Sequence, residues 1–254
     1  MISAPPAGSH FPPTTQRHFR APWSFREILA VLAVGAVFAI VLGVAGIVIS
    51  TFVPSDVLPE GSPPADLAAV ASAIYGGFGI ATWLVIVRRK RLPWSSLGVV
   101  PVKAKTALAM IPAGLVLLFV NLLLLTPLTL FLGLGDPDAG QEQQEIFSPE
   151  GGLRALDYLW LLIPLAILAP IVEELGFRGL LYGYMRGRTG VILSIIVSAL
   201  VFAVLHVIIP PLFVMGAILA FLAERYRSIV PGIVLHATNN ALVVVIIAIA
   251  NTAE

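Results

Sequence analysis

The sequence contains no cysteine and few charged residues for its length. The lack of cysteine excludes disulfide bonds, thiolate nucleophiles and cysteine-ligated zinc, and it leaves the redox compartment open. Charged residues make up 11% of the 254 positions and apolar residues 58%, whereas a soluble domain carries roughly 25% charged residues. Because this small number of charged residues cannot cover a surface that faces water, the composition indicates a membrane protein. The net charge of +1 gives no basic excess that would suggest a nucleic-acid partner.

The first 25 residues differ from the rest of the chain. They are rich in proline, serine and threonine, which predicts a disordered tail. This stretch is too long and too polar for the front of a signal peptide, and the apolar run after it has full spanning length, so we predict no cleavage. Residues 26–254 are predicted to form one transmembrane helical domain.

Long apolar segments follow one another through that domain. Because a bilayer core needs roughly 20 mostly apolar residues per helix, the sequence predicts an all-α, multispanning bundle of about seven spans. Their predicted ranges are 28–53, 67–87, 107–133, 157–185, 190–209, 211–225 and 229–250. An eighth element within 107–133 or 134–157 stays open. Residues 134–152 are predicted to be an extracytoplasmic loop or a short surface helix.

The basic residues are distributed unevenly between the two sides of this bundle. With seven alternating spans, 14 of the 15 lysine and arginine residues fall on one side, and only Arg154 falls on the other. The positive-inside rule makes the basic side, and with it the N-terminus, cytoplasmic. We therefore predict an integral, multi-pass protein in a prokaryotic cell membrane.

Few strongly polar groups lie inside the apolar segments. They are Asn121, Glu173, Glu174, His206, His236, Asn239 and Asn240. Of the four histidines, two lie in the tail and the other two in predicted spans. An ionisable group at membrane depth indicates a functional site.

The two adjacent glutamates of EELGFR (173–178) cannot share one helix face, since successive positions differ by about 100°. Glu174 and Arg178 have the i,i+4 spacing that favours an ion pair. This pairing leaves Glu173 without its own cation, and such a carboxylate can act as a general acid or base. The alternative is that both glutamates mark the cytoplasmic helix end, paired with Arg178.

Two further helices carry polar side chains at i,i+4 spacing. Phe202 and His206 share one face, and His236 and Asn240 share another. Taken alone, either pair is consistent with ordinary helix packing or interhelical hydrogen bonding. A turn near 186–190 would bring Glu173 or Glu174 level with His206. A carboxylate, two imidazoles and a carboxamide on three helices then form a site suited to hydrolysis.

The depths of these groups impose a condition on the fold. His236 lies only about eight residues, some 12 Å, past the loop before its helix. Glu173 and His206 lie nearly twice as far from the turn that joins their helices. The three side chains can meet only if the end of that hairpin projects into the cytoplasm.

Three sequence motifs together resemble a known family. EELGFR, FAVLH (202–206) and HATNN (236–240) match the EExxxR, FxxxH and HxxxN motifs of the CPBP family. That family comprises type II CAAX prenyl endopeptidases and bacterial Abi proteins related to bacteriocin processing and self-immunity. The resemblance covers about residues 155–245.

The resemblance implies a glutamate-dependent intramembrane endopeptidase with a cavity reached from the cytoplasm. It implies that Glu173 polarises the attacking water with help from His206. The remaining roles implied are oxyanion stabilisation by His236 and Asn240, orientation of the site by Glu174 and Arg178, and packing beside His206 by Phe202. The implied partners are the lipid bilayer and a membrane-associated peptide or protein, prenylated or not.

Alternatives to this interpretation concern the metal and the activity. Two histidines and a glutamate are a possible zinc set, but the chain has no HExxH, and Arg178 both occupies Glu174 and disfavours a dication. We therefore predict no cofactor, with zinc as the alternative. A non-enzymatic peptide-binding or bacteriocin self-immunity protein is the rival function. A proton-coupled transporter would predict broken helices or paired repeats, and the sequence shows neither.

Overall fold

The computed structural model describes residues 21–50, 52, 63–134, 155–206 and 209–252. These ranges contain helices and their connections and no strand, so the predicted all-α class is confirmed. Two predictions concern residues largely outside the described ranges. They are the disordered tail, of which residues 1–20 are not described, and the extracytoplasmic loop at 134–152.

Seven helices follow one another in the described ranges, and three of them change between α and π geometry along their length. They are α1 (Phe25–Ser50); α2 (Pro63–Thr82, continued by π-helical Trp83–Arg89); α3 (Ala104–Val120, π-helical Asn121–Leu125, α-helical Thr126–Phe131); α4 (Ala155–Leu162, π-helical Ile163–Leu168, Ala169–Glu173, π-helical Glu174–Tyr182, Gly183–Thr189); α5 (Val191–Leu205); α6 (Ile209–Tyr226); and α7 (Val230–Thr252). A 3₁₀ turn, Trp94–Leu97, lies between α2 and α3.

Each predicted span coincides with one of these helices, with ends that differ by at most four residues. Five helical segments in the described ranges are long and apolar enough to cross a bilayer. They are Phe25–Val48, Ala68–Arg89, Ala104–Phe131, Tyr158–Thr189 and Val230–Ala250. Helix α5 is shorter than predicted because it ends at Leu205; its 15 residues span about 22 Å, against a core of about 30 Å. The chain is an integral, multi-pass membrane protein.

The N-terminus of α1 packs against the second half of α4. The indole Nε1 of Trp23 donates to the Leu180 carbonyl at 3.1 Å, and the Trp23 ring lies against Gly183. Lys90, just after α2, pairs with Glu27 in the first turn of α1 at 3.0 Å. The start of α1, the end of α2 and the second half of α4 therefore lie together.

The connection between α2 and α3 reaches the same end of the bundle. Gly98 adopts a left-handed conformation with φ of 81°, and its carbonyl accepts from the Ile229 amide at 2.8 Å. The Ser228 hydroxyl donates to the Val100 carbonyl at 2.6 Å. We call this end of the bundle the basic end; it comprises residues 21–24, 90–103, 189–190 and 227–229. The distribution of lysine and arginine along the sequence predicts that these segments lie at the same end of the bundle.

Small residues allow the helices around α4 to approach closely. A Cβ added to Gly216 of α6 would lie 3.0 Å from the Cα of Ala199 in α5. One added to Gly114 of α3 would lie 2.8 Å from the Leu235 carbonyl in α7. Close backbone approach is the usual means of packing helices in lipid. Polar side chains projecting between these helices are consequently held at short and fixed distances.

Candidate active site

Glu173 lies at the junction where α4 changes from α to π geometry. Its side chain is only 10% exposed, and it faces one histidine from each of two other helices. Oε1 lies 3.6 Å from His206 Nε2, and Oε2 lies 3.7 Å from His236 Nε2. These distances are too long for direct hydrogen bonds, and a single water can bridge groups so placed. The structure therefore brings together the three ionisable groups that the sequence predicts.

His206 is the more accessible of the two histidines. It follows the last residue of α5, and its side chain is 32% exposed. Its Nδ1 lies 2.7 Å from the Phe202 carbonyl. Because a carbonyl only accepts, Nδ1 is assigned the proton, which leaves Nε2 of the neutral ring as an acceptor directed at the site. The i,i+4 spacing of Phe202 and His206 thus fixes the tautomer as well as the position of the ring.

His236 lies between the two adjacent glutamates. Its Nε2 is 3.7 Å from Glu173, and its Nδ1 is 3.6 Å from Glu174 Oε1. The ring is 3% exposed, and in the described part of the chain its Nδ1 has no hydrogen-bond partner. Two glutamates on different faces of α4 thus lie on either side of one imidazole from α7.

The ion pair expected between Glu174 and Arg178 forms, and both side chains are completely buried. Arg178 Nη1 donates to Glu174 Oε1 at 2.7 Å, and Nη2 donates to the Gly216 carbonyl at 3.0 Å. The guanidinium also lies 4.7 Å above the centre of the Phe202 ring. Burial of two charges is favourable only when pairing and further hydrogen bonds compensate for the lost water. Gly216 and Phe202 supply part of that compensation.

Phe202 lies at the centre of the cluster. Its ring centroid is 4.5 Å from that of His206, 5.8 Å from that of His236 and 5.1 Å from that of Phe177. The predicted packing contact with His206 is therefore present. The same ring thus contacts both imidazoles and the Arg178 guanidinium.

Asn240 contacts a different part of α4. Its Nδ2 donates to the Leu165 carbonyl at 2.9 Å, and in the described residues no hydrogen bond or ion pair joins it to Glu173. The π-helical register of this part of α4 explains why the Leu165 carbonyl is free to accept from Asn240. The Ala169 amide bonds back to the Pro164 carbonyl, and the donor next in register for Leu165 would be Pro170, which has no N–H. Asn240 therefore supplies the hydrogen bond that this helix lacks, with one amide proton still unassigned.

Two residues of the site were not identified from the sequence. The Tyr75 hydroxyl, on α2, donates to Glu173 Oε1 at 2.9 Å. A Cβ on Gly232 of α7 would lie 2.8 Å from Glu174 Oε2, so any larger residue there requires that carboxylate to shift. A lone tyrosine beside glycines in a predicted span was the available signal for Tyr75. The sequence gives no comparable signal for Gly232.

The condition on depth concerns how far the turn between α4 and α5 projects into the cytoplasm, and it stays a prediction. Arg186, near the end of α4, binds both carboxylate oxygens of Glu224 at 3.0 Å, and Glu224 lies in the last turn of α6. Helix α4 continues past this level to Thr189. The turn between α4 and α5 therefore lies beyond this ion pair, at the basic end.

The arrangement of possible metal ligands bears on the zinc alternative. Within the described ranges, no group of three or more histidine, cysteine, aspartate or glutamate side chains is placed to hold a metal ion. The second glutamate is engaged by Arg178. The metal-free mechanism remains a prediction, and chelation tests it.

Comparison with known proteins identifies a family for one part of the chain. Residues 155–242 match the family model described as type II CAAX prenyl endopeptidase Rce1-like. This range contains every site residue predicted from the sequence, and it confirms the resemblance found from the three motifs. No curated protein and no solved structure matches the chain. The family match implies a protease that works in a lipid environment; α1–α3 and Tyr75 lie outside it.

Proposed function

We propose that this chain, in which residues 155–242 match the type II CAAX prenyl endopeptidase Rce1-like family, is a glutamate-dependent intramembrane endopeptidase. It hydrolyses a peptide bond of a membrane-associated protein or peptide, with Glu173 as the general base. The observation that supports this most directly is the position of Glu173. It is a buried carboxylate between two imidazoles, and the adjacent Glu174 forms the ion pair with Arg178.

The first step is attack by water on the scissile carbonyl. A water bound at Glu173 gives one hydrogen bond to the carboxylate and the other to His206 Nε2, which accepts because Nδ1 carries the ring proton. The water oxygen then forms a bond to the carbonyl carbon while Glu173 takes a proton. The carbonyl π electrons move to its oxygen, and donors held by α7 stabilise this oxyanion. His236 is the donor nearest Glu173, and the second amide proton of Asn240 is the other candidate.

The second step is release of the amine. The tetrahedral intermediate re-forms its carbonyl as the C–N bond breaks, and protonated Glu173 delivers its proton to the leaving nitrogen. The products are a carboxylic acid, which then ionises in water, and an amine, and Glu173 returns to its starting state. General acid–base catalysis of this kind contributes about 10²- to 10⁴-fold to a rate.

The mechanism is proposed to be metal-free. The Arg178 guanidinium already provides a cation on the Glu174 side of His236, and a nearby dication would be repelled. Glu174 and Arg178 accordingly hold α4 and orient His236. Substrates of CAAX type, with a lipid near the C-terminus, and access from the predicted cytoplasmic side both follow from the family resemblance.

The test is peptide hydrolysis by the purified protein in detergent. Quenched peptides with and without a C-terminal lipid are compared for wild type, Glu173→Gln and Glu174→Gln, each with and without a chelator. Glutamine keeps the shape of glutamate and removes the base. We expect Glu173→Gln to lose at least about 10²-fold in rate while it stays folded, and chelator to have no effect.

Three outcomes would contradict the proposal in different ways. Activity retained in Glu173→Gln rejects the assignment of the base. Loss with chelator that zinc restores favours a metalloprotease. A folded wild type that cleaves none of the peptides, yet binds them, favours the non-enzymatic peptide-binding or self-immunity function.

A further inference from the structure

Helix α2 contributes one polar side chain to the site. The Tyr75 hydroxyl donates to Glu173 Oε1 at 2.9 Å across 98 positions of sequence. Tyr75 lies outside residues 155–242 and in none of the three motifs. Its neighbours at 74–81 are otherwise glycine or apolar residues. The contact with Glu173 is therefore a feature of the tertiary structure that the family match does not include.

The backbone around Tyr75 is held on two sides. A Cβ on Gly77 would lie 2.6 Å from the Ala39 amide nitrogen of α1, and a Cβ on Gly79 would lie 3.5 Å from Val172, the residue before Glu173. Helices packed this closely do not slide past one another without losing contacts. The hydroxyl is consequently presented to Glu173 from a fixed position.

The two oxygens of Glu173 differ in their surroundings. Oε1 accepts from Tyr75 and faces His206, whereas Oε2 faces His236 and has no hydrogen bond in the described part of the chain. The terminal torsion of a glutamate side chain is broad and weakly restrained. The carboxylate would therefore rotate freely if nothing held one of its oxygens.

We propose that Tyr75 is a positioning residue that holds the Glu173 carboxylate with Oε1 toward His206 and Oε2 toward His236. This inference rests on the proposed hydrolysis. The hydroxyl acts through Glu173 and does not touch the reacting atoms. It keeps the base aligned with the water that both Glu173 and His206 bind, so its removal lowers the rate of the chemical step and leaves substrate binding unchanged.

A second tyrosine–glutamate pair in the chain provides a matched control. The Tyr182 hydroxyl donates to Glu224 Oε2 at 2.7 Å; Tyr182 is buried, whereas Tyr75 is partly exposed. That pair lies near the basic end, one helix turn from Arg186 and away from Glu173. Tyr182→Phe therefore removes the same kind of hydrogen bond without touching the site.

The experiment compares Tyr75→Phe and Tyr182→Phe with wild type for kcat, KM and thermal midpoint in detergent. We expect Tyr75→Phe to lower kcat about 10- to 100-fold, the range that small misplacements of a catalytic group produce, with KM within about twofold of wild type. Tyr182→Phe should leave kcat near that of wild type. In a Glu173→Gln background, Tyr75→Phe should cause no further loss, because the base that it positions is already absent.

Infrared spectra report the contact independently of activity. The difference between wild type and Glu173→Gln isolates the carboxylate bands of Glu173, which Tyr75→Phe should shift and Tyr182→Phe should not. Wild-type kcat in Tyr75→Phe, or equal losses in both phenylalanine variants, overturns the positioning role alone. A wild type without hydrolysis overturns the proposed function and this role with it, and an unshifted carboxylate band overturns the contact itself.

Discussion

Glu173 and Glu224 are two carboxylates that each accept a tyrosine hydroxyl, and they differ in what else surrounds them. Glu224 accepts from Tyr182 and from both nitrogens of the Arg186 fork, with Arg227 3.7 Å away. Glu173 accepts one hydrogen bond and otherwise faces two imidazoles beyond hydrogen-bond distance. One oxygen of Glu173 thus remains without a donor in the described structure.

We interpret this difference as that between a structural carboxylate and the proposed general base. The fork of an arginine fixes a carboxylate through two parallel charge-assisted hydrogen bonds, which engages the lone pairs that proton transfer needs. Histidines at 3.6 and 3.7 Å leave those lone pairs for a water. The same residue type therefore holds two helices together at the basic end and forms the centre of the site deeper in the bundle.

The largest expected effect comes from replacing each of the two glutamates with glutamine in turn. Glu173→Gln should lower kcat about 10²- to 10⁴-fold because it removes the base, with little change in thermal midpoint. Glu224→Gln should instead lower the thermal midpoint and leave kcat near that of wild type. It weakens hydrogen bonds to a charged group, which are worth about 1.5–3 kcal/mol. Rates and melting curves of both variants test this. A Glu224→Gln protein that melts normally but has lost its activity would contradict the distinction between a structural Glu224 and a catalytic Glu173.

The next effect concerns the buried ion pair of α4. Arg178→Met leaves Glu174 buried and unpaired, which should destabilise the protein by about 3–5 kcal/mol, and adding Glu174→Gln should recover most of that loss. Lys90→Met is the control, since it breaks a partly exposed pair with Glu27 worth about 0–1 kcal/mol. Denaturation in detergent compares the three variants. Equal losses for the Arg178 and Lys90 variants would show that burial does not decide the strength of these pairs.

A smaller effect is expected at Gly232. Alanine there places a Cβ 2.8 Å from Glu174 Oε2, and overpacking of this kind costs about 1–3 kcal/mol. At Gly43 of α1 a Cβ meets nothing within 4 Å, so Gly43→Ala should be neutral or stabilise the helix by up to about 1 kcal/mol. Thermal midpoints of the two variants measure the contrast. Tolerance of alanine at Gly232 would mean that Glu174 has room to move.

The smallest effect separates two roles of Asn240. Asn240→Ala should cost about 1–2 kcal/mol because the Leu165 carbonyl loses its donor, and Pro170→Ala should restore that stability by returning an N–H to α4. Activity should not return with it if Asn240 also contributes to the oxyanion site. Melting curves and rates are measured for the single and double variants. Recovery of both stability and activity in the double variant would show that Asn240 has only a structural role.

Local spacing accounts for the contacts that could be predicted. Glu174 meets Arg178, and Phe202 meets His206, because residues four apart on a helix are neighbours wherever the helix lies. The seven helices could be predicted for a similar reason, since apolar length alone identifies them. The end of α5 at Leu205 could not, because it depends on how the chain turns into α6.

Contacts between distant segments required the structure. Tyr75 reaches Glu173 through the packing of α2 between α1 and α4, in which Gly77 allows a close approach to Ala39 of α1. The bond from Asn240 to Leu165 depends on a change of helical register before Pro170. Spacing along the sequence encodes neither the packing distance nor the register.

The sequence by itself determined that this chain is a membrane protein, that the residues of its three motifs lie on three helices, and which end of the bundle is basic. Composition and helical period are sufficient for these conclusions because each concerns one segment at a time. The tertiary structure alone decided which oxygen of Glu173 faces which histidine and that the Tyr75 hydroxyl donates to the carboxylate. Those relations depend on the distances between packed helices, which side chains from many parts of the chain set together.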